Sequence, residues 1–525
     1  MATPKVSRQL FDNNLTRAAA GGSGPRNRRV VILGNATDGP LNAPVKVSSP
    51  SDAAELFGPF DSKTSGVYNL TRGLKECFDG QSAGTAAPDV YGLRVVGYAD
   101  ATTPMSLAAH RTWASDSTGS DVFKLEAVHP GTLYNDISIW ANATELYIYN
   151  PKTKLNTKIT WTSLDIEDLA DLINADISLN EIMFASSIVD DQLINQDIFA
   201  GTEGAKESLA NGTDWDPSSE VNADNQLYLG LAKAYDSFIA DFFDIMAIVD
   251  VTLDAVPNDE PDGSGDDANF AQQMSTFLDD FNGEMIGVTS FEPIVGSGVG
   301  GRVLRDDVVS RLSSLVTNTV LAGFDQPFMF CVDGEGIFNG QSSKYAGNLN
   351  CAVAGLIAAM PTEEAIYRHI LPGVTGLVWA YAGKDASSGS LQVDLLSDVR
   401  ISVPSIKNGE IKLSESRSLA KAGSDYENLM TVLILQEALE ICRNVAKDFL
   451  GKVSSAELLQ AFQTSLDSQL GTSLVPRVLR GFLAPVVMTP GERVVGRVTI
   501  PLTLQPQFEL RDVHYNVELS AEDLA

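Results

Sequence analysis

The sequence predicts an α/β multidomain protein: an α/β core sheet with helices on its faces, an inserted small β-rich domain, and an α+β C-terminal domain. Three observations lead there. The chain has 525 residues, more than one hydrophobic core ordinarily serves, so about three domains are expected. Strand-like and helix-like segments alternate near the start and again through the middle, the pattern of a mostly parallel sheet. Between those stretches the periodicity drops to two, and near the end two capped helical runs are followed by alternating strands.

In chain order, residues 1–25 form a basic arm closed by Gly21-Gly22-Ser23-Gly24-Pro25, a flexible break in which Gly21, Gly22 and Gly24 can serve as a hinge. The first part of the core, 26–110, begins with the buried strand Val30-Val31-Ile32-Leu33. A short strand at Pro44–Val47 follows, then a brief helix ending at Gly58-Pro59 and a helix through Leu70, Leu74 and Phe78. Val90–Val96 returns as a strand. In 115–200 apolar residues alternate (Phe123, Leu125, Ala127; Ile137, Ile139; Leu146, Ile148) with turns at Pro130-Gly131 and Asn150-Pro151, and an acidic helix at Leu164–Ile173 closes the unit.

The second part of the core, 205–400, repeats the alternation. Strands are expected at Asp244–Val251, Met285–Thr289 and Phe328–Val332, and helices at Ala268–Phe281, Val303–Val316 and Tyr345–Met360. In the C-terminal domain, 401–525, Ser424-x-x-Glu427 and Ser454-x-x-Glu457 read as capping boxes, with Gly451 and Gly471 as helix ends. Arg497–Gln505 alternates strictly, with Val498, Ile500, Leu502 and Leu504 on one face, and Val513, Tyr515, Val517 and Leu519 repeat the pattern. Pro501 lacks an N–H for a ladder, which places this strand at an edge or late in a sheet.

Charge excludes several function classes. With 37 basic and 68 acidic residues the formal charge is −31, which repels phosphate backbones, and no basic stripe compensates. Nucleic acid is not an expected partner. The first thirty residues are the exception, carrying +5 (Lys5, Arg8 and Arg17 among them) ahead of a body carrying −36. That segment reads either as a solvated terminus or as an arm complementary to another acidic copy. The four cysteines, Cys77, Cys331, Cys351 and Cys442, form no C-x-x-C pair and read as reduced, mostly buried thiols. No signal peptide is expected, and the longest apolar stretch, Cys351–Met360, is too short for a membrane span.

No motif supports catalysis. Gly296-x-Gly298-x-x-Gly301 matches a dinucleotide fingerprint but lacks the strand that should deliver it, so a flexible glycine loop is the plainer reading and a nucleotide-binding α/β enzyme the alternative. His110, His129, His369 and His514 share no metal-ligand spacing. The acidic run at 259–267 lacks the closing Glu of a calcium loop. Catalytic residues, metals and cofactors are therefore expected to be none.

The order of several motifs resembles the contractile tail sheath family. Val30–Gly34, Gly39-Pro40, Pro44–Val47 and Ala54-Glu55-Leu56-Phe57-Gly58 are similar to that family's opening of strand, G-P turn, strand and helix ending in L-F-G. Tyr91–Val96 is similar to its next strand, and Leu125-Glu126-Ala127 through Pro130-Gly131 to Asn135-Asp136-Ile137 to its E-A-x-x-P-G-x-x-x-N-D-I segment. Gly481-Phe482 and the closing strands resemble its C-terminal domain, whereas Asp425–Phe449 departs from the arginine-rich, aromatic helix of many members.

The resemblance implies a structural subunit of a virion tail, made and assembled in the host cytoplasm, that polymerises as stacked hexameric rings around a tail tube. It implies contraction that drives the tube through an envelope, with baseplate and tail terminator proteins as further partners and no membrane insertion. It implies that terminal strands are exchanged between copies, which gives Lys5, Arg8, Arg17 and the alternating residues of 498–517 a role as subunit-contact arms. The tube-facing candidates are Glu437, Glu440, Arg443 and Lys447, at i, i+3 and i+4 spacings on one helix. A plain amphipathic domain helix is the competing reading. The sheath of a cellular injection machine is the other assembly with these features.

Overall fold

The structure, a computed structural model, describes the chain from Asn27 to Gln507 apart from 61–68, 83, 85, 101, 115–120, 142–144, 161–165, 181, 189–206, 218–219, 221–222, 239–242, 253–269, 282–283, 292–293, 295–296, 298–301, 304–305, 311–324, 341–342, 382–395, 397–398, 408, 454, 490 and 493–495. The expectations for Lys5, Arg8, Arg17, Gly21, Gly22, Gly24, Val513, Tyr515, Val517 and the glycines at 296, 298 and 301 lie outside the described residues.

A seven-stranded sheet forms the centre, in the order Ile401–Ser402, Met329–Val332, Ile286–Ser290, Ile245–Thr252, Arg29–Gly34, Asp89–Arg94 and Pro44–Val47. Every neighbouring pair is parallel except the last, which is antiparallel. Parallel strands are covered on both faces, and these strands are almost continuously apolar and buried. Alternate residues of the first strand enter different cores. Val30 and Ile32 pack with the helices Leu70–Gln81 and Asn350–Ala359, while Val31 and Leu33 pack with Ala223–Ser237 and Phe270–Asp280.

The Asn350–Ala359 helix is buried at every position, so it cannot be amphipathic. It lies so close to Leu70–Gln81 that a Cβ on Gly355 would run into the Cys77 carbonyl, and one on Gly80 into the Ala352 carbonyl. Its C-terminal end is capped by the buried Arg28 guanidinium, which donates to the carbonyls of Ile357 (2.8 Å) and Met360 (2.9 Å) and to the Thr362 hydroxyl (2.7 Å). A cation at that end also complements the helix dipole.

Two smaller sheets, Ala108–Ala114/Asp121–Pro130/Met183–Ser187 and Glu207–Ser208/Ser138–Ala141/Glu145–Asn150/Leu155–Thr160, enclose a core of their own with the helix Ile166–Ala175. They are fastened to the central sheet by buried polar groups. The Tyr134 hydroxyl and Lys152 Nζ (2.9 Å) both donate to Asp38, and Arg94 donates to the carbonyls of Pro130 (2.7 Å) and Gly39 (3.1 Å).

Two expected helices change. Tyr345–Met360 divides, because Lys344–Asn348 pairs with Glu335–Asn339 as a hairpin, with Tyr345 opposite Phe338 and their rings stacked at 5.6 Å. An apolar run fits either period, and the facing strand decides here. At Val303–Val316, Arg302–Val303 pairs as a strand with Ala380–Tyr381, helix is present at 306–310, and 311–324 lies outside the described residues.

Among the ionisable groups buried by this sheet, the Glu76 carboxyl is shifted by its surroundings. Glu76 is 2% exposed beside Arg72, whose guanidinium pairs with Asp250. Burial pushes the Glu76 carboxyl from its ordinary 4.5 up to about 8, against the pull of Arg72. A raised carboxyl pKa favours the protonated folded state, so stability is full below the unfolded value and declines as pH climbs toward about 8. The melting temperature is therefore expected to fall between pH 5 and pH 8.5, and Glu76→Gln to flatten that fall by a few degrees in calorimetry. Gly355→Ala is expected to cost about 1–3 kcal/mol in urea unfolding. Gly491→Ala, which meets no atom within 4 Å, is expected to cost far less.

Candidate assembly surface

The C-terminal unit is built on two helices, Leu429–Lys447 and Ala456–Leu474. The first serves two cores. Leu429, Val432 and Leu433 join the central one, whereas Ile434, Ala438 and Val445 pack with Phe462, Leu466 and Leu470 of the second helix. Between these groups the buried Gln436 amide donates to the carbonyls of Asp244 (3.0 Å) and Glu284 (3.1 Å), just before two strands of the central sheet. The helix thus ties the C-terminal unit to the core.

The two capping boxes are corrected. Asn428, not Ser424, caps the first helix by accepting from the Met430 N–H (3.0 Å), while Ser424 and Glu427 close a preceding turn. Ser455 caps the second by accepting from Leu458 N–H (3.1 Å), while Ser454 lies outside the described residues. That helix runs through Gly471 to Leu474 because Leu470 and Leu474 are both fully buried. Gly451 does follow the first helix, at φ +77°.

The four tube-facing candidates do not share one free surface. Glu437 pairs with Arg477, which also reaches Glu363 (2.7 Å), and Arg443 pairs with Glu284 (2.7 Å). Both lie mostly inside contacts of the chain itself, at 13% and 19% exposure. Lys447 donates to Asn444 (3.3 Å), and Glu440 is half-buried. Equal spacing on a helix could not reveal that Arg477 and Glu284 come to meet it.

The expected strand at 497–505 is a broken ribbon. Leu479–Leu483 pairs antiparallel with Thr503–Pro506, and an isolated bridge joins Val487 to Thr499. That register sets Pro485 opposite Pro501. Neither has an N–H, which is why the ladder lapses between them. Ile500, Leu502 and Leu504 lie half-buried on the helices, while Leu483 and Val487 are exposed on the other face at 63% and 61%. Val498 is half-buried in the approach to the ribbon.

Two strands make a marginal sheet, and among the described residues no third strand joins either flank. Two other edges in the molecule are blunted. The central sheet ends on Pro44–Val47, with Pro44 and a Lys46–Asp89 ion pair at 2.8 Å. On the Met183–Ser187 edge the Asn174 amide takes both the N–H (2.8 Å) and the carbonyl (2.9 Å) of Ala185.

The overall architecture matches a known fold. It superposes on the sheath tail protein of Listeria innocua with a TM-score of 0.54 over 92% of this chain and 96% of that one, at 12% identity. The chain has the tail sheath fold. The sheath tail protein of Desulfitobacterium hafniense (TM-score 0.48, 12% identity, 93% and 99% covered) and the contracted helical sheath of the anti-feeding prophage (0.47, 10%, 95% and 95%) also match. No family model and no curated protein matches the sequence.

Within this sheath fold, side chains beside the neighbouring strands Arg29–Gly34 and Ile245–Thr252, where an open parallel sheet usually takes a ligand, bond to the chain's own groups. Asn35 donates to the Trp215 carbonyl (3.0 Å), and Asn69 bridges the Asn35 N–H (2.9 Å) to the Asp250 carboxylate (3.3 Å). Among the described residues no group of His, Cys, Asp or Glu is arranged to hold a metal, and no helix is long and apolar enough to cross a membrane. Cys77, Cys331 and Cys351 are buried and Cys442 half-buried, all free thiols.

Gln463 repeats the Asn174 device on the ribbon: its amide donates to the Ala484 carbonyl (3.1 Å) and accepts from the Val486 N–H (2.6 Å). Gln463→Ala is expected to speed hydrogen exchange at the Val486 amide by about tenfold, since one lost hydrogen bond is worth about 1 kcal/mol or more. Unchanged exchange there would mean that the amide bond carries nothing.

Proposed function

We propose that this chain is the structural subunit of a contractile tail sheath, a protein that acts by assembling and rearranging rather than by catalysis. The observation that carries the reading is a C-terminal ribbon that has two strands among the described residues, set on an α/β core of tail sheath fold. Strand addition joins copies through main-chain hydrogen bonds while side chains set the register. A donor that receives from one neighbour and gives to another makes a heterologous contact, which grows a helix rather than closing a dimer.

In this reading the basic arm carrying Lys5, Arg8 and Arg17 and the alternating segment with Val513, Tyr515 and Val517 are the donors, with Gly21, Gly22 and Gly24 as hinge. Copies stack as hexameric rings around a tail tube, between baseplate and terminator proteins. Contraction draws its energy from new contacts between copies, with no nucleotide consumed. Glu437, Glu440, Arg443 and Lys447 are the tube-facing candidates in this reading, and two of them, Glu437 and Arg443, would have to exchange their pairings with Arg477 and Glu284 to meet a tube. A cellular injection machine is the second setting in which a sheath would play the same role.

Deleting residues 2–22 is expected to leave a folded monomer, with an unchanged melting temperature, that no longer forms striated tubes in negative-stain electron microscopy. Normal tubes from the truncated chain would remove the arm from the assembly.

A further inference from the structure

Glu76 belongs to a group with one basic and two acidic side chains. Arg72 pairs with Asp250, and its Nε stands 3.7 Å from Glu76 Oε1. One guanidinium balances one carboxylate, and Asp250, at 22% exposure, is the wetter of the two acids. A second negative charge in this interior would go uncompensated, so the closed group is neutral with a proton on Glu76. The remaining neighbours leave that count unchanged. Lys75, on the same helix, is paired with Asp79 at 2.5 Å. The Tyr345 hydroxyl faces Glu76 from Lys344–Asn348, and burial keeps the Cys77 and Cys351 thiols protonated.

One thin element closes over this carboxyl. A Cβ on Gly347 would stand 2.8 Å from Glu76 Oε1. Gly347 lies in Lys344–Asn348, the margin of a three-stranded sheet with Glu335–Asn339 in the middle and Val374–Leu377 beyond it. Lifting that strand breaks no ladder of the central sheet. Its far end is pinned where the Asn350 amide donates to the Ile248 carbonyl (2.8 Å), which makes Asn348-Leu349 the hinge. The Tyr345 ring holds the strand down, stacked on Phe338 and edge-on to Phe60 at 5.4 Å. Beneath it the closure is incomplete. Among the described residues, the buried Arg72 Nε and Nη1, Glu76 Oε1 and Tyr345 hydroxyl have no hydrogen-bond partner. Water supplies those bonds when the strand lifts, so opening is cheap here.

We propose that Lys344–Asn348 is a proton-held lid, which closes over a protonated Glu76 and on lifting releases that proton to solvent. The device belongs to the single chain and stands apart from the assembly proposed above. Its sign follows from the two states. Closed, the Glu76 carboxyl is held up at about 8; open and wet, it returns to the ordinary carboxylate range. The closed lid binds the extra proton, so each pH unit between those limits favours opening by about tenfold.

Hydrogen exchange resolved to single amides tests this on the intact chain between pH 5.5 and pH 7.5. At the turn the Gly340 N–H donates to the Ser343 carbonyl (2.8 Å), and alternation from there makes Tyr345 and Gly347 the residues that donate to the facing strand. Their amides are expected to exchange faster than those of Val31 and Ile32 in the central sheet. They should also quicken by about a hundredfold per pH unit, tenfold from base-catalysed exchange and tenfold from the proton lost on opening. In Glu76→Gln the slope should drop to about tenfold per unit. Should that variant fail a melting control, Asp250→Asn, which leaves Arg72 to balance Glu76 alone, should lower the slope in its place. A tenfold slope in the natural chain, or a hundredfold slope that survives Glu76→Gln, would overturn the proton as what holds the lid. Exchange at 345 and 347 no faster than at Val31 and Ile32 would mean that only whole-chain unfolding wets Glu76, which overturns the lid itself.

Discussion

Where the Leu70–Gln81 helix crosses Asn350–Ala359, two glycines let the backbones meet without side chains between them. The central sheet needs a tight cover on that face, because its strands are buried along nearly their whole length. A helix buried at every position has no wet side, so it holds only if a second layer closes over it. Ile411, Leu413 and the start of Leu429–Lys447 join the same cluster. The position of the C-terminal unit is thus set, through packing, by a contact far away in the chain. Asn69, just ahead of the same helix, bonds to Asn35 and Asp250 at the ends of two central strands.

Buried polar groups then decide how the parts are joined. Asp38 and Arg94 belong to the central sheet region, yet their partners are Tyr134, Lys152 and the Pro130 carbonyl of the smaller sheets. Gln436 does the equivalent for the C-terminal helix at the strand ends. A buried charge or amide without a partner costs more than the bond it makes is worth, so each such group demands one relative placement of two units. Units fastened in this way hold one relative placement.

Edges show the same economy. Every exposed strand edge is a template for pairing with another chain. The chain meets that hazard with proline and lysine at Pro44–Val47 and with a side-chain amide at Met183–Ser187 and at Ala484–Val486. Against those closures, the strand of half-buried alternating residues at the margin of the two-stranded ribbon is joined by no third strand among the described residues.

Much of the fold was legible in the sequence. The apolar strands at 30–33, 245–249 and 286–290, the period-two segments of the smaller sheets and the two C-terminal helices follow from local periodicity, which burial on one or both faces imposes directly. The order of motifs from Val30 to Ile137 pointed to the sheath fold before any coordinates. The failures have a common cause. Tyr345–Asn348 became a strand because Glu335–Asn339 lies opposite it, Ser424 lost its cap to Asn428 because the helix had to begin where Leu429 enters the core, and Gly471 stayed helical because Leu474 is buried. Glu437 and Arg443 were chosen by spacing, and only the approach of Arg477 and Glu284 drew them inward. By itself the sequence determined which segments are strands or helices and which of their faces are apolar, since those depend on neighbours a few residues away. Which edges are sealed, which charges are spent within the chain and how the C-terminal ribbon is poised were decided by the tertiary structure, because each depends on groups tens or hundreds of residues apart.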